Sequence, residues 1–140
     1  MKIKSLLVLL TLGMSACTGS KYAGVPKQYQ ELISQSMQTA GSNAKELKKA
    51  LKQTPTTQRE GMAFLISYMP ERDAKALTAD FLLENVDYAY KARAEFPWAK
   101  EVPNDIFLND VVAYVNLNEK RENWRKDFYE RFKKYVANCK

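Results

Sequence analysis

The sequence predicts an all-α domain of five or six helices. Three observations predict it. Apolar residues recur at helical spacing in five segments, Pro, Gly and small polar residues punctuate those segments, and no run alternates apolar and polar residues as a half-buried strand does.

Ahead of the domain lies an export signal. Lys2 and Lys4 form a short positive head, and Ser5 to Met14 (SLLVLLTLGM) is an apolar stretch of ten residues. A bilayer-spanning helix needs about 20 residues, so this stretch has the length of a signal-peptide core instead. Met14-Ser15-Ala16-Cys17 follows. Small residues before a cysteine are what a lipoprotein signal peptidase cleaves, although Leu is more usual than Met at the first of these positions. Residues 1–16 are therefore expected to be removed and Cys17 acylated. Residues 17–25, small and polar, read as a flexible tether. The partner so implied is membrane lipid, through the acyl chains on Cys17. Without an acidic run after Cys17, the anchor is expected in the bacterial envelope, facing the periplasm.

The helical domain spans residues 26–140. Pro26 suits a first helical position, and Tyr29, Leu32, Ile33, Met37 and Ala40 follow at helical spacing until Gly41. Ser42 or Asn43 can cap a second helix with Ala44, Leu47 and Leu51 inward. Lys45, Lys48, Lys49 and Lys52 lie on its other faces, as a solvated charge run does. Thr54-Pro55 reads as a cap and first turn for a third helix, striped by Phe64, Leu65, Tyr68 and Met69 and stopped by Pro70. Ala79 to Glu95 gives the clearest helix, capped by Thr78. Leu82, Leu83, Val86, Ala89 and Tyr90 form its inner side, and Asp80, Glu84, Asp87 and Lys91 the opposite face. Phe96-Pro97-Trp98 breaks it. Ile106 to Val115 fits either a helix started at Pro103 or a buried strand; helix is preferred because a lone strand has no partner. A last helix is expected from Glu119 to Asn138, with Trp124, Phe128, Phe132, Tyr135 and Val136 along one side. Glu122–Lys126, Asp127–Arg131 and Glu130–Lys134 would pair at i, i+4.

Composition excludes several functions. Loss of residues 1–16 leaves 20 basic against 16 acidic side chains, a net charge of +4. The two signs are interspersed, so no nucleic-acid footprint is expected. The chain has no histidine. That removes every Ser-His-Asp or Cys-His arrangement and every His-ligated metal site within it. Once Cys17 is acylated, Cys139 has no partner for a disulfide. The chain is thus expected not to be an enzyme and to carry no cofactor.

Few constellations remain. Glu84 with Asp87 and Asp105 with Asp110 are acidic pairs of the kind helix surfaces carry. Asp73 most simply helps cap a turn. Tyr88, Tyr90, Trp98 and Trp124 could form a ligand platform, but aromatics at helical spacing usually belong to a core. The densest stretch is NEKRENWRKDFYERF, residues 118–132. Arg121 and Arg125 lie one turn apart beside Trp124 and could grip a partner's carboxylate. The plainer reading, preferred here, has them clamp Glu119, Glu122 or an acidic residue of a neighbouring helix. Trp124 would then be core and the arginines its rim.

Several stretches together resemble one family. They are Tyr68 to Leu83 (YMPERDAKALTADFLL), the following ENVDYAYKARAEFPW, and PNDIFLNDVVAYVNLNEKRENWRKDFYERF. They are similar to the N-terminal helical region of bacterial transglutaminase-like lipoproteins, over most of residues 58–135. Ala113 departs from the family's pattern, which has Pro there. The resemblance implies a helical region that packs on a papain-like core and shapes its entrance. That core carries a Cys-His-Asp triad. None of the triad maps onto this chain, and Cys139 matches no nucleophile motif. The expectation is a membrane-tethered binding or scaffolding module. Its partner would be a transglutaminase-like catalytic domain or another envelope protein. The alternative is the non-catalytic part of such an enzyme, with its core encoded separately or lost.

Overall fold

The computed structural model describes residues 21–115 and 120–137. The expected signal peptide, the expected acylation site Cys17 and Cys139 lie outside the described residues. Those residues form an all-α domain. Its five long helices are α1 (Lys27–Ala40), α2 (Ala44–Gln53), α3 (Arg59–Tyr68), α5 (Ala79–Glu95) and α8 (Trp124–Val136). Three short pieces join them: α4 (Glu71–Ala74), α6 (Pro97–Lys100) and α7 (Asn104–Ile106), the last running into a π-helical turn, Phe107–Val112.

Helix α1 packs on α3 and α4, and α5 lies against α2, α3, α6, α8 and the π turn. The main core is built from Ile33, Leu47, Met62, Ile66, Leu82, Val86, Phe107 and Val112, all essentially without exposure. Phe96, Ala99 and Tyr129 form a smaller cluster beneath α8.

Helix α5 has the expected bounds, and the Thr78 hydroxyl accepts the Phe81 amide at 3.2 Å as an N-cap should. Residues 104–112 are helical, so the helix reading holds for Ile106 to Val112, with Pro103 immediately before it, while Ala113 to Val115 have left the helix.

Four expectations need correction. Thr54 does not cap α3. Its buried hydroxyl donates back to the Ala50 carbonyl at 2.7 Å, closing the end of α2. Helix α3 turns Met62, Leu65 and Ile66 inward, flanked by Ala63, while Tyr68 is 60% exposed. The real stripe sits to one side of the expected one because Gly61 lets α3 lie directly on Tyr90. A β-carbon at Gly61 would come within 2.7 Å of that ring. The tether, where described, is docked: Val25 is buried, and the Gln30 amide nitrogen donates to the Tyr22 and Val25 carbonyls at 2.9 and 3.0 Å. Finally, α8 begins at Trp124, not Glu119, since residues 120–123 are not helical. Glu122 thus precedes the helix, and Glu130 pairs with Lys133 at 2.7 Å; Asp127–Arg131 forms as expected.

Candidate functional site

The residues singled out in sequence converge on the junction of α4, α5, the π turn and α8. A helix end leaves carbonyls without intrahelical partners, and the π turn ends at Val112 with Ala113 already extended. Three successive carbonyls there are taken by side chains from elsewhere. Asn85 of α5 donates to Val112 at 2.9 Å, Arg125 to Ala113 at 2.7 Å, and the Trp124 indole to Tyr114 at 3.2 Å. Arg125 Nε also donates to the side-chain amide oxygen of Asn85 at 2.8 Å. Its guanidinium is held by neutral acceptors, and burial draws its pKa down to about 10.

Beside this lies a charged clamp. Asp73 is 2% exposed. Arg121 donates to both of its oxygens, Nε at 3.0 Å and Nη2 at 2.9 Å, and the Tyr114 hydroxyl donates to it at 2.9 Å. The side chain of Arg121 is only 18% exposed. Its bonds to the Asp73 carboxylate hold the guanidinium pKa above its ordinary value. Burial first, and then the bond to Asp73, push the Tyr114 phenol well above its usual range. Such a bidentate pair gives geometric specificity as well as energy.

Arg121 therefore clamps an acid of a neighbouring helix, as the plainer reading expects. The acid is Asp73, which is a buried hub and not merely a turn cap. Arg125 does not sit at a rim; it points inward beside Asn85. Trp124 is the reverse case. It is 36% exposed, and Phe128, Phe132 and Tyr135 are 52%, 47% and 65% exposed. Expected as core, these four rings instead form an outward row, each in contact with the next at centroid distances of 5.6, 5.5 and 6.4 Å. The buried residue of α8 is Tyr129, whose ring packs tilted against Tyr88 and whose hydroxyl donates to a Glu95 carboxylate oxygen. Tyr88, Tyr90, Trp98 and Trp124 do not form one platform: Tyr90 meets Phe107, and Trp98 stacks on Phe96.

The sequence reading missed Asn85 and Tyr114. Asn85 sits on the inward side of α5 between Leu82 and Ala89, and a polar residue on an apolar stripe is the signal that could have found it. Tyr114 carries no such local signal.

Next to the clamp an open groove of about 970 Å³ is lined by Phe64, Tyr68, Met69, Arg72, Tyr114 and Val115, among others. Among the described residues no cluster of three or more Asp, Glu, Cys or His could hold a metal ion. Nor is any described helix long and apolar enough to cross a membrane. Comparison with protein-family models, with curated proteins and with solved structures finds no match.

Proposed function

We propose that the chain is an envelope lipoprotein, anchored through acyl chains on Cys17, whose helical domain is a non-catalytic docking module. The observation that carries the docking part is the exposed row Trp124–Phe128–Phe132–Tyr135 on α8. Soluble domains rarely leave four contiguous large aromatics in water without use. Rings at helical spacing are the anchors by which a helix seats in an apolar groove, and Trp and Tyr dominate binding energy at such contacts. The clamp beneath keeps the row outward: with Arg121 tied to Asp73 and Arg125 to Asn85, α8 cannot roll its aromatics into the core.

The occupant is a separate folded protein with an apolar cleft rimmed by carboxylates. Helix α8 carries five basic and two acidic side chains, and Lys134 lies 4.9 Å from the Tyr135 ring centre, so an acidic rim complements it. The resemblance of residues 58–135 makes a papain-like core the first member of that class to try. A photoreactive residue replacing Phe132 in the full chain, in its native envelope, should give one discrete protein adduct. The adduct should disappear when Phe128→Ser is added and should not form from position 75. Adducts with lipid only, or with a second copy of the chain, would overturn the docking reading. The anchor is tested separately: fatty-acid labelling should be abolished by Cys17→Ser, and a variant still labelled would refute it.

A further inference from the structure

A second surface stands apart from the clamp and the aromatic row. Residues 21–25 fold back over α2 and the start of α3, leaving a groove of about 450 Å³ between them. Val25 and Leu51 supply apolar floor, and four cations surround it: Lys21, Lys48, Lys52 and Arg59. No carboxylate lines it, and among the described residues none of the four is in a salt bridge.

Each cation is placed by the fold. Lys48 and Lys52 lie one turn apart on α2, where like charges repel. Arg59 reaches the groove through carbonyls, donating to Ala23 at 3.0 Å and Thr54 at 3.1 Å, so its positive charge is met by dipoles and not by an acid. That approach depends on Gly24, whose φ is +72°; a β-carbon there would lie 2.5 Å from an Arg59 nitrogen. Lys21 is held at the edge by a bond to the Ser34 hydroxyl at 3.3 Å. A groove with an apolar floor and a converging positive rim is complementary to an amphiphilic anion.

We propose that this groove receives the phosphate of an anionic phospholipid headgroup at the membrane to which the chain is anchored. The inference rests on the Cys17 anchor. Four residue steps separate Cys17 from Lys21, and extended chain spans about 3.5 Å per step, so Lys21 at the groove's edge stays within about 14 Å of the acylated residue. A tether of that reach lets the groove's basic side chains come within the Debye length of about 8–10 Å over which they feel an anionic leaflet's surface potential. Acyl chains on one residue hold the domain at the bilayer but leave it free to turn about that point; a headgroup in the groove would fix which face of the domain meets the bilayer and turn the rest toward its partner.

The test uses the processed chain, residues 17–140, carrying Cys17→Ser, so that neither the signal segment nor acyl chains contribute, and sedimentation with phosphatidylcholine vesicles with and without phosphatidylglycerol. The parent should prefer the anionic vesicles at least tenfold. Lys48→Glu/Lys52→Glu should abolish the preference and Lys48→Gln/Lys52→Gln should weaken it, with unchanged circular dichroism. Lys133→Glu/Lys134→Glu, the same charge change on α8, should leave it intact. Equal binding to both vesicles, or equal loss in the α8 variant, would overturn the proposal. Competition by inorganic phosphate without any vesicle preference would mean a free anion is the ligand and would overturn the lipid assignment. Fatty-acid labelling of Cys17 in the otherwise unaltered chain reports on the anchor alone. A labelled protein lacking headgroup preference would sink the groove and leave the anchor standing.

Discussion

Asp73 and Arg121 are paired where neither has much water, and the consequences of removing one differ from those at a surface pair. Taking away one partner of a buried pair strands the other charge, which costs about 3–5 kcal/mol. Asp73→Ala is expected to fall in that range by urea denaturation; a loss under about 1 kcal/mol would mean that water reaches the clamp freely. Tyr114 gives a pH dependence of definite sign. Its phenol titrates above the ordinary value of 10.0 in the folded chain, so above pH 10 the unfolded chain binds fewer protons than the native one. Stability should then be fully present below about pH 10 and fall as pH rises past it, by up to about 1.4 kcal/mol per pH unit. Tyr114→Phe should flatten that decline above about pH 10, leaving the smaller part due to Tyr90, whose pKa is raised chiefly by burial as well. Little of this was legible in the sequence. Asp73 meets Tyr114 and Arg121 across 41 and 48 residues, and no local pattern announces a contact of that separation.

At the scale of elements, α5 and α8 mark the two limits of legibility. In α5 the cap, the apolar period and the buried side coincide, so its bounds and inner face could be read directly. In α8 the most apolar side and the buried side differ. The stripe of Trp124, Phe128, Phe132 and Tyr135 outweighs the side bearing Arg125 and Tyr129 in hydrophobicity, yet the latter faces inward because its polar groups find partners on α5 and after the π turn. Phe132→Ser is accordingly expected to change stability by about 0.5 kcal/mol or less, and Tyr129→Ala to cost about 3–5 kcal/mol. Denaturation of the two side by side checks the orientation; equal costs would contradict it. Helix α3 offers an independent test. Gly61→Ala places a methyl against the Tyr90 ring and should destabilise by about 1–3 kcal/mol through overpacking, with Gly61→Ala/Tyr90→Leu recovering part of the loss.

On the scale of the whole molecule, the all-α class was plain from period and punctuation, while the docking of residues 21–25 was not. Small polar residues usually mean a loose tether, and here the side chains that pin them, Gln30 and Arg59, belong to helices that the local sequence does not mention. The groove they enclose escaped notice for a related reason: Lys48 and Lys52 look like any solvated helix face until residues 21–25 are laid across them. The uneven distribution of the core has a further outcome. The main cluster draws on α1 to α5 and the π turn, whereas α8 is attached by Tyr129, a partly buried Val136 and a set of polar contacts. Detaching α8 would uncover little apolar surface, so that step should carry a small heat-capacity change and a shallow dependence on denaturant. Amides of residues 124–136 should then exchange with deuterium through a low-energy opening of their own, while those of α5 wait for global unfolding. The helix that presents the aromatic row is thereby the part of the domain most easily lifted from it.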